Sequence, residues 1–474
     1  MAFDRRQFLK GTAWMGAAAF VGGCVSRGHL SGGGSMQGFA AGPIRKVRVG
    51  CVGLGMRGPG AVQRLSAIPG VEVVALCDLY AERAERWNAW LKENGKPSAR
   101  VYSGEEGYKA LCDSDLDLVY NTTPWQLHEP IARYAMESGK HVAIEVPAAM
   151  NLDECWSLVE TSERTRRHCM QLENCCYGEI EMLTLNLVRL GKLGELVHAE
   201  GAYIHDLREG IYKSPEEGSY QGYWRLKWNV EHSGNIYPTH GLVPLMQAMD
   251  INRGDRFDYL TSVNSAQIGM LAYAREKFGP DSWQAREIPK SGDMSTTVIK
   301  TVKGKTIMVQ HDVTSARPYS RINLVSGTQG ILNDYPFRVA FAEKPGDPVH
   351  EWFGEERKNE VLEKYKHPLW KVAGEIAQKV GGHGGMDFLM DLRLAYCLQN
   401  GLPLDMDVYD LASSCSLCEL CERSSDNRGA SQDVPDFTGG TWRTTPPLGI
   451  ESVDLSKMGL DAGDVGESSA QLNV

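Results

Sequence analysis

The sequence predicts an α/β fold in two parts: a doubly wound parallel sheet, then a C-terminal α+β domain with a mainly antiparallel sheet. Two observations predict this. Between residues 47 and 145, short β-branched apolar runs alternate with helical patterns, which is typical of parallel βαβ units. Beyond residue 174, aromatic and β-branched runs follow one another with only loops between them, as in antiparallel sheets.

The first apolar run, 47–52, leads directly into Gly53-x-Gly55-x-x-Gly58, and a helical pattern follows. Gly53 permits a tight turn, Gly55 lets the backbone approach a pyrophosphate, and Gly58 lets the helix pack on the strand. The N-terminus of that helix offers N–H donors and a positive dipole end to phosphates. This order of strand, glycine turn and helix is typical of the Rossmann dinucleotide-binding fold.

A carboxylate stands where such a fold needs one. The second apolar run, 71–77, ends at Asp78, which lies about 20 residues after the last glycine. A carboxylate there accepts hydrogen bonds from the ribose hydroxyls and repels a 2′-phosphate. We therefore expect NAD rather than NADP. The alternative is an unrelated capping aspartate beside an incidental glycine turn.

The remaining elements follow in order along the chain. In the first domain we expect further strands at 116–121 and 140–145, with helices at 80–94, 105–112 and 125–136. Because ligands bind at the carboxyl ends of parallel strands, the glycine loop, Asp78, residues 122–128 and Glu145 should lie along one rim. In the second domain we expect helices at 362–380 and 386–400 and strands at 197–204, 257–266, 295–302, 305–312 and 321–325.

The first 25 residues read as an export signal. Arg5-Arg6 and an apolar run at 13–21 are typical of a twin-arginine leader, and the run is too short for a comfortable membrane span. Cys24 resembles a lipobox cysteine, and an incidental cysteine in a cleavage region is the alternative. We expect a protein exported by the twin-arginine machinery, periplasmic or lipid-anchored. The other predicted segments are a flexible tether at 26–43, a Rossmann domain at 44–173, a substrate domain at 174–450 and a polar tail at 451–474.

Composition narrows the functional class. The chain has 474 residues and is 42% hydrophobic, enough for two domains with cores of their own. Its net charge of −10 gives no basic surface for nucleic acid. Cys415, Cys418 and Cys421 have the spacing of one buried helix face, and the sequence has no metal-ligand motif such as His-Glu-x-x-His. We expect no metal.

The first domain resembles the glucose–fructose oxidoreductase and inositol dehydrogenase superfamily. Members of that superfamily usually end the fifth strand in Glu-Lys-Pro, where the lysine assists hydride transfer. Here the tripeptide is Glu145-Val146-Pro147, so a plain alcohol dehydrogenase mechanism is in doubt. The superfamily also pairs the open face of its antiparallel sheet, so a homo-oligomer is implied.

Nearly all of the chain after the tether resembles glycoside hydrolase family 109, NAD-dependent enzymes known for α-N-acetylgalactosaminidase activity. The motifs are Trp125-Gln126-Leu127-His128, Glu145-Val146-Pro147, Asn174-Cys175-Cys176-Tyr177-Gly178, 201–208, Trp224-Arg225, 234–241, 316–319 and 381–387. The resemblance implies NAD contacts at Met56, Arg57, Asp78, Trp125, Gln126, Leu127, His128, Glu145, Val146, Asn174 and Tyr237. It implies sugar contacts at Tyr203, Arg225, Tyr237, Pro238, Thr239, His240 and Tyr319.

The residue types in this region favour proton transfer by histidine and tyrosine. Most glycosidases use a pair of carboxylates, but NAD-dependent ones are exceptions. In these, oxidation at C3 of the sugar acidifies the C2 proton, elimination across C1–C2 expels the leaving group, water adds, and C3 is reduced again. His240 is the first candidate for the C2 base because imidazole titrates near neutral pH. Tyr237, Tyr177 or a water is the second proton handler, and the base assignment among these stays open.

Two enzymatic functions therefore remain for the same site, beside a third class, a non-catalytic sugar-binding protein that keeps NAD as a structural group. The first is an exported glycosidase acting on terminal α-linked N-acetylgalactosamine or a related sugar. The second is an exported NAD-dependent sugar oxidoreductase that passes hydride between two sugars. Both restore NAD within each turnover, so export fits either one. Val146 in the lysine position weighs against the second.

Overall fold

The computed structural model describes residues 34–213 and 220–459 of the chain. The predicted twin-arginine leader, Cys24, the first part of the tether and the end of the polar tail lie outside these residues. No helix within the described ranges is long and apolar enough to cross a membrane.

The first sheet has six parallel strands in the order β3-β2-β1-β4-β5-β6. Because the order reverses at β1, the carboxyl ends of β1 and β4 flank a crevice, the usual ligand site of such sheets. The predicted doubly wound sheet is confirmed. Its strands are β1 Val47–Val52, β2 Val71–Asp78, β3 Arg100–Ser103, β4 Leu118–Asn121, β5 His141–Ile144 and β6 Cys169–Gln171.

Helices connect these strands, as the 3.6-residue apolar patterns predict. A 3₁₀ turn at Trp125–Leu127 precedes the fourth helix, and another at Asn174–Tyr177 follows β6. The helices of this half are α1 Gly58–Ala67, α2 Ala81–Glu93, α3 Gly107–Cys112, α4 His128–Glu137 and α5 Leu152–Thr165.

The second sheet has eight strands in the order β13-β12-β11-β7-β10-β9-β8-β14. All neighbours are antiparallel except β7 and β10, which pair in parallel with Tyr203 opposite His311. The mainly antiparallel sheet is confirmed. Its strands are β7 Leu196–Ile204, β8 Phe257–Asn264, β9 Ser295–Thr301, β10 Thr306–Asp312, β11 Leu324–Gly327, β12 Gly330–Asn333, β13 Arg338–Phe341 and β14 Gln432–Asp433.

The helices of the second half cover one face of this sheet and reach the first sheet. Residues 388–398 pack in one core with β1 and α1, and residues 408–415 pack with α4 and α5. These helices are α6 Glu179–Arg189, α7 Arg208–Tyr212, α8 Trp224–Glu231, α9 Thr239–Ala248, α10 Gly269–Phe278, α11 Trp283–Arg286, α12 Glu355–Tyr365, α13 Pro368–Val380, α14 Met386–Asn400, α15 Val408–Asp426 and α16 Leu455–Met458.

Two sequence expectations need correction here. The helix predicted at 362–380 is split into α12 and α13, because the His367 side chain caps a new helix by accepting the Leu369 N–H at 3.1 Å and Pro368 begins it. Proline suits a first helical position but breaks a helix interior. The predicted tether is also shorter. Met36 is buried, and its N–H donates to the hydroxyl of Tyr409 in α15. The segment 34–43 therefore packs on the folded domain and is not a free tether.

Candidate active site

The glycine loop after β1 is shaped by close backbone contacts. Gly53 has φ +87°, and a Cβ there would lie 2.8 Å from the Thr122 backbone. A Cβ on Gly58 would lie 2.0 Å from the Gly53 carbonyl oxygen. Neither position has room for a side chain, because the obstructing atoms belong to the main chain. The loop therefore brings the N-terminus of α1 against the end of β1.

Gly55 and Asp78 complete a site that fits NAD. A Cβ on Gly55 would meet only the Arg83 guanidinium, at 3.7 Å, so the backbone there is open to a ligand. Asp78 ends β2 and accepts the Leu54 N–H at 2.6 Å, which fixes the loop to the neighbouring strand. The loop and the start of α1 would hold the pyrophosphate, and Asp78 would hold the ribose.

The turn at 125–128 lies on the rim formed by the carboxyl ends of the parallel strands, but its residues have different environments. Met56, Gln126 and Leu127 are exposed, as NAD contacts require. His128 is buried, and both of its ring nitrogens lie 2.7 Å from main-chain carbonyls, those of Thr123 and Pro147. The structure therefore corrects the expectation for the His128 side chain, which holds the turn together and does not face the rim.

Trp125 links the rim to the second domain. Its indole N–H donates to the Val146 carbonyl at 3.2 Å, and Val146 itself is buried. Its ring lies 5.8 Å from the ring of Tyr237 and 4.9 Å from that of Trp224. The predicted cofactor and sugar residues thus meet at Trp125.

Charged side chains connect the glycine loop to both domains by hydrogen bonds. The Arg57 guanidinium donates to Glu145 at 2.9 Å and to Asp387 at 3.2 Å, and Asp387 accepts the Asn174 amide at 2.6 Å. Burial opposes ionisation of Asp387, but Arg57 and Arg64 together hold its pKa well below the usual value. The network brings together the predicted Arg57, Glu145 and Asn174. Asp387, at the start of α14, was not predicted.

Three side chains form a hydrogen-bonded chain beside Trp125. The Nδ1 atom of His240 lies 2.6 Å from the Glu173 carboxylate, and Nε2 lies 3.3 Å from the Tyr237 hydroxyl. Burial, together with Tyr203 and Glu173, raises the pKa of Tyr237 well above its usual value. Tyr237 is thus suited to donate a hydrogen bond, and Nε2 of His240 is the ring atom that faces its hydroxyl.

Glu173 was missed because the sequence predicts no strand at 169–171, so nothing marked Glu173 as a strand-end carboxylate. It follows β6 and belongs to the carboxyl rim on which parallel sheets bind ligands. If this three-residue strand had been predicted, the rule would have placed Glu173 on the rim, but it would not have shown the contact with His240.

Tyr237 lies against a group of aromatic side chains, Tyr203 and Tyr319, which we call the aromatic wall. Tyr203, near the end of β7, stacks on Tyr237 with ring centroids 4.7 Å apart, and Arg225 lies 5.1 Å above the Tyr237 ring. Tyr319 stands 6.3 Å from Tyr203 and accepts a hydrogen bond from Arg321. Pro238 and Thr239 are buried where α9 begins. The predicted sugar residues therefore lie together, on elements far apart in the chain.

Two further histidines that the sequence did not single out border this wall. The ring of His205 lies 4.7 Å from that of Tyr203, and His311 lies 6.1 Å from it on the neighbouring strand. Burial, with Arg225 adding to it, lowers the pKa of His205 to about 4 and that of His311 to about 3. Both imidazoles are neutral at pH 7. The parallel pairing of β7 and β10 brings them here.

Tyr177 does not join the site, which corrects its prediction as a proton handler. Its side chain is buried, and its hydroxyl donates to Asp405 at 3.0 Å. Asp405 in turn pairs with Arg393. The 3₁₀ turn at 174–177 directs Asn174 towards the rim and Tyr177 into the packing beneath it.

We predict that Tyr177→Phe leaves kcat within about twofold of the wild type. Loss of the hydrogen bond to Asp405 should instead lower the free energy of unfolding by about 1–3 kcal/mol. Urea unfolding and steady-state kinetics measure the two effects. A large fall in kcat with unchanged stability would restore Tyr177 to the catalytic set.

Glu173, Cys175 and His240 each place a potential metal-ligand atom within 4.8 Å of the others. A metal ligand must be deprotonated, whereas burial raises the pKa of the Cys175 thiol well above its usual value. Glu173 and His240 are also hydrogen-bonded to each other. The chemistry of these groups is that of a proton-transfer network, and metal independence stays a prediction.

Comparison with known families and proteins agrees with this geometry. Residues 47–172 match the description "Oxidoreductase family, NAD-binding Rossmann fold", and residues 177–444 match "Glycosyl hydrolase 109, C-terminal domain". A "Glycosyl hydrolase family 109 protein 2" of Shewanella sp. (strain MR-4) is 45% identical over 459 residues, which cover 94% of this chain and 99% of that one. The chain belongs to glycosyl hydrolase family 109.

A second relative carries an activity in its name. The "Alpha-N-acetylgalactosaminidase" of Bacteroides fragilis (strain ATCC 25285) is 47% identical over 408 residues, covering 86% of this chain and 95% of that one. Together with the Rossmann match, these relatives identify the chain as an NAD-dependent glycoside hydrolase. NAD is its cofactor.

Solved structures share the fold at low sequence identity. A levoglucosan dehydrogenase in complex with NADH and levoglucosan has a TM-score of 0.61 and 18% identity, covering 82% of this chain and all of that one. An aldose-aldose oxidoreductase of Caulobacter crescentus has a TM-score of 0.56 and 16% identity over the same share. The family 109 chain thus has the fold of NAD-binding oxidoreductases.

Proposed function

We propose that this family 109 enzyme hydrolyses terminal α-linked N-acetylgalactosamine, or a related sugar, by a redox-assisted elimination. The sequence of steps is oxidation at C3, elimination across C1–C2, addition of water at C1, and reduction of C3. The contact between His240 and Tyr237 beside Trp125 is the observation that carries this proposal. It places a proton acceptor and a proton donor together at the predicted NAD rim.

The ionisation of the nearby carboxylates supports this mechanism over the two-carboxylate one. A conventional glycosidase needs a neutral carboxylic acid whose pKa is raised. Burial opposes ionisation of Glu173, but His240 outweighs it, and the pKa of Glu173 falls below its usual value. Glu145 is paired with Arg57. Both carboxylates are therefore held by hydrogen bonds from other side chains, Glu145 by Arg57 and Glu173 by His240.

The side chains divide the chemistry as follows. Bound NAD would supply a reversible hydride acceptor for C3, and the proton of the C3 hydroxyl would leave to solvent and return when C3 is reduced. Nε2 of His240 takes the C2 proton, the electrons of that C–H bond form the C1–C2 double bond, and the C1–O bond breaks. The leaving oxygen and the later water exchange protons through His240 and Tyr237. The Tyr237 hydroxyl also donates to the negative oxygen that develops at C3 as the C2 proton departs.

Arg225 supports a sugar as the ligand. Its guanidinium is buried, yet among the described residues its Nε and Nη2 atoms have no hydrogen-bond partner and no carboxylate pairs with it. Unpartnered buried donors are costly, so a ligand that brings oxygen acceptors is favoured here. Hydroxyl and acetamido oxygens of a sugar supply them. The tyrosine rings offer apolar surface to the sugar's C–H groups.

A panel of nitrophenyl α- and β-glycosides tests the proposal. We expect nitrophenol release from the α-N-acetylgalactosaminide without net formation of NADH, and slower release when C2 carries deuterium. Failure to cleave any glycoside in the panel would contradict the proposed function. Hydride exchange between two free sugars, measured in parallel, would then establish the oxidoreductase alternative.

We also propose export by the twin-arginine machinery to the periplasm, with Cys24 as the point of lipid attachment. The Arg5-Arg6 signature and the glycines before Cys24 support this. A mechanism that restores NAD in every turnover suits a compartment where free NAD is scarce. Mass spectrometry of the mature N-terminus tests both points, since a diacylglycerol on Cys24 and cleavage without a lipid differ in mass.

A homo-oligomer is proposed from the outer face of the second sheet. Tyr259, Val263 and Val298 expose apolar side chains on the neighbouring strands β8 and β9, and exposed apolar groups on an open sheet favour a partner. A second copy of the chain is the occupant we propose. Light scattering on the purified protein measures its mass in solution, and a monomer at assay concentrations would contradict this.

A further inference from the structure

We propose that Glu173 is the positioning residue for His240, holding its imidazole with the proton on Nδ1 so that Nε2 is free to accept a proton. This inference deepens the proposed function and rests on it. The contact that carries it is the 2.6 Å separation between His240 Nδ1 and the Glu173 carboxylate. A carboxylate only accepts hydrogen bonds, so Nδ1 must carry the proton.

The second ring nitrogen is then defined as well. A neutral imidazole with its proton on Nδ1 has a lone pair on Nε2, and Nε2 faces the Tyr237 hydroxyl at 3.3 Å. The opposite tautomer would leave the Glu173 carboxylate facing an unprotonated nitrogen. It would also remove the proton acceptor from the side on which Tyr203 and Tyr237 lie.

Glu173 does more than its local backbone contact requires. The same oxygen that meets His240 accepts the Cys175 N–H at 3.1 Å, which caps the turn at 174–177. A neutral asparagine or serine caps such a turn as well. An ionised carboxylate with no exposed surface is expensive, and His240 is the cationic partner that offsets this cost when it is protonated.

The position of His240 in its helix explains why the negative charge of Glu173 is useful. His240 is the second residue of α9, so its ring lies at the N-terminal end of that helix, where a negatively charged neighbour is favoured. The titratable groups around it are Glu173, Cys175, Tyr237, Tyr203 and His205. Burial keeps the Cys175 thiol protonated by raising its pKa. Of these five groups, Glu173 alone carries a negative charge, so it stabilises the imidazolium that forms when the C2 proton is taken up.

The test begins with the tautomer in the free protein. In ¹H–¹⁵N correlation spectra of histidine-labelled enzyme at neutral pH, His240 should show a proton on Nδ1 and none on Nε2. The signals that disappear in His240→Gln identify the residue. A proton on Nε2 in the free enzyme would overturn the proposal. Because this measurement involves no substrate, it does not depend on whether glycosides are cleaved.

Kinetics of Glu173→Gln supply the second readout. The variant keeps the side-chain shape but loses the charge, so we expect kcat to fall about 10²-fold while KM changes less than about threefold. Glu173→Asp, which keeps the charge, should recover part of the loss. An equal kcat in Glu173→Gln and the wild type would overturn the proposal.

Asp436→Asn is the matched control for loss of a carboxylate. Asp436 accepts a backbone N–H from Thr438 and a ring N–H from Trp442 at 3.0 Å, much as Glu173 accepts from Cys175 and His240. It lies in the C-terminal segment and contacts none of the site residues named above. We expect its kcat to match the wild type. If both variants lose kcat equally, the effect is structural and the proposal fails.

Discussion

Replacing His240 with glutamine should lower kcat by about 10²–10⁴-fold, the usual contribution of a general acid–base group. KM should change little, because the aromatic wall and Arg225 remain in place. The loss is expected because glutamine keeps a hydrogen bond to Glu173 but cannot take up the C2 proton at neutral pH. Steady-state kinetics on the nitrophenyl α-N-acetylgalactosaminide measure it.

His232 provides a matched control for this variant. Its Nδ1 lies 2.9 Å from Glu422, so it also forms a histidine–glutamate pair, but its ring stacks on Trp228 and not on Tyr237 or Tyr203. His232→Gln should therefore keep the wild-type kcat. NAD binding, read by quenching of protein fluorescence, should be unchanged in both variants. A His240→Gln enzyme with near wild-type kcat would exclude His240 as the C2 base.

The glycine loop gives the second large effect, and two of its glycines should respond differently. In Gly58→Ala the new methyl group meets the Gly53 carbonyl, and main chain cannot move aside cheaply. We expect the free energy of unfolding to fall by about 3 kcal/mol. In Gly55→Ala the methyl group has room, so stability without NAD should be unchanged, while NAD affinity falls about tenfold or more.

Thermal unfolding with and without NAD separates the two effects, and Gly42→Ala is the control. Gly42 is exposed outside the helices and strands, and a Cβ there meets nothing within 4 Å. The control should unfold like the wild type in both conditions. If Gly55→Ala bound NAD as tightly as the control, the pyrophosphate would not lie against this loop.

The first domain could be predicted from sequence because its signals are local. Gly53, Gly58 and Asp78 act through turns and strand ends only a few residues away, and the strands between them are continuous apolar runs. The second sheet shows the limit of such signals. Its strands could be located, but the parallel pairing of β7 with β10, which brings His311 beside Tyr203, depends on chain crossings that no local pattern encodes.

The direction in which a side chain points could not be predicted from the sequence either. Asn174 and Tyr177 stand in one short motif, yet the 3₁₀ turn points one to Asp387 and the other to Asp405. Glu173 precedes the motif and lies at the centre of the site. The family resemblance put His240 and Tyr237 in the same site. Only the distances in the structure show that the Glu173 carboxylate is hydrogen-bonded to His240.

The most direct test of the central claim is turnover of a nitrophenyl α-N-acetylgalactosaminide that lacks the C3 hydroxyl. If cleavage requires oxidation at C3, this compound should bind as a competitive inhibitor and release no nitrophenol, while the parent glycoside is hydrolysed. A conventional glycosidase does not need that hydroxyl to be oxidised. Release of nitrophenol at a rate comparable to that of the parent would contradict the redox-assisted mechanism.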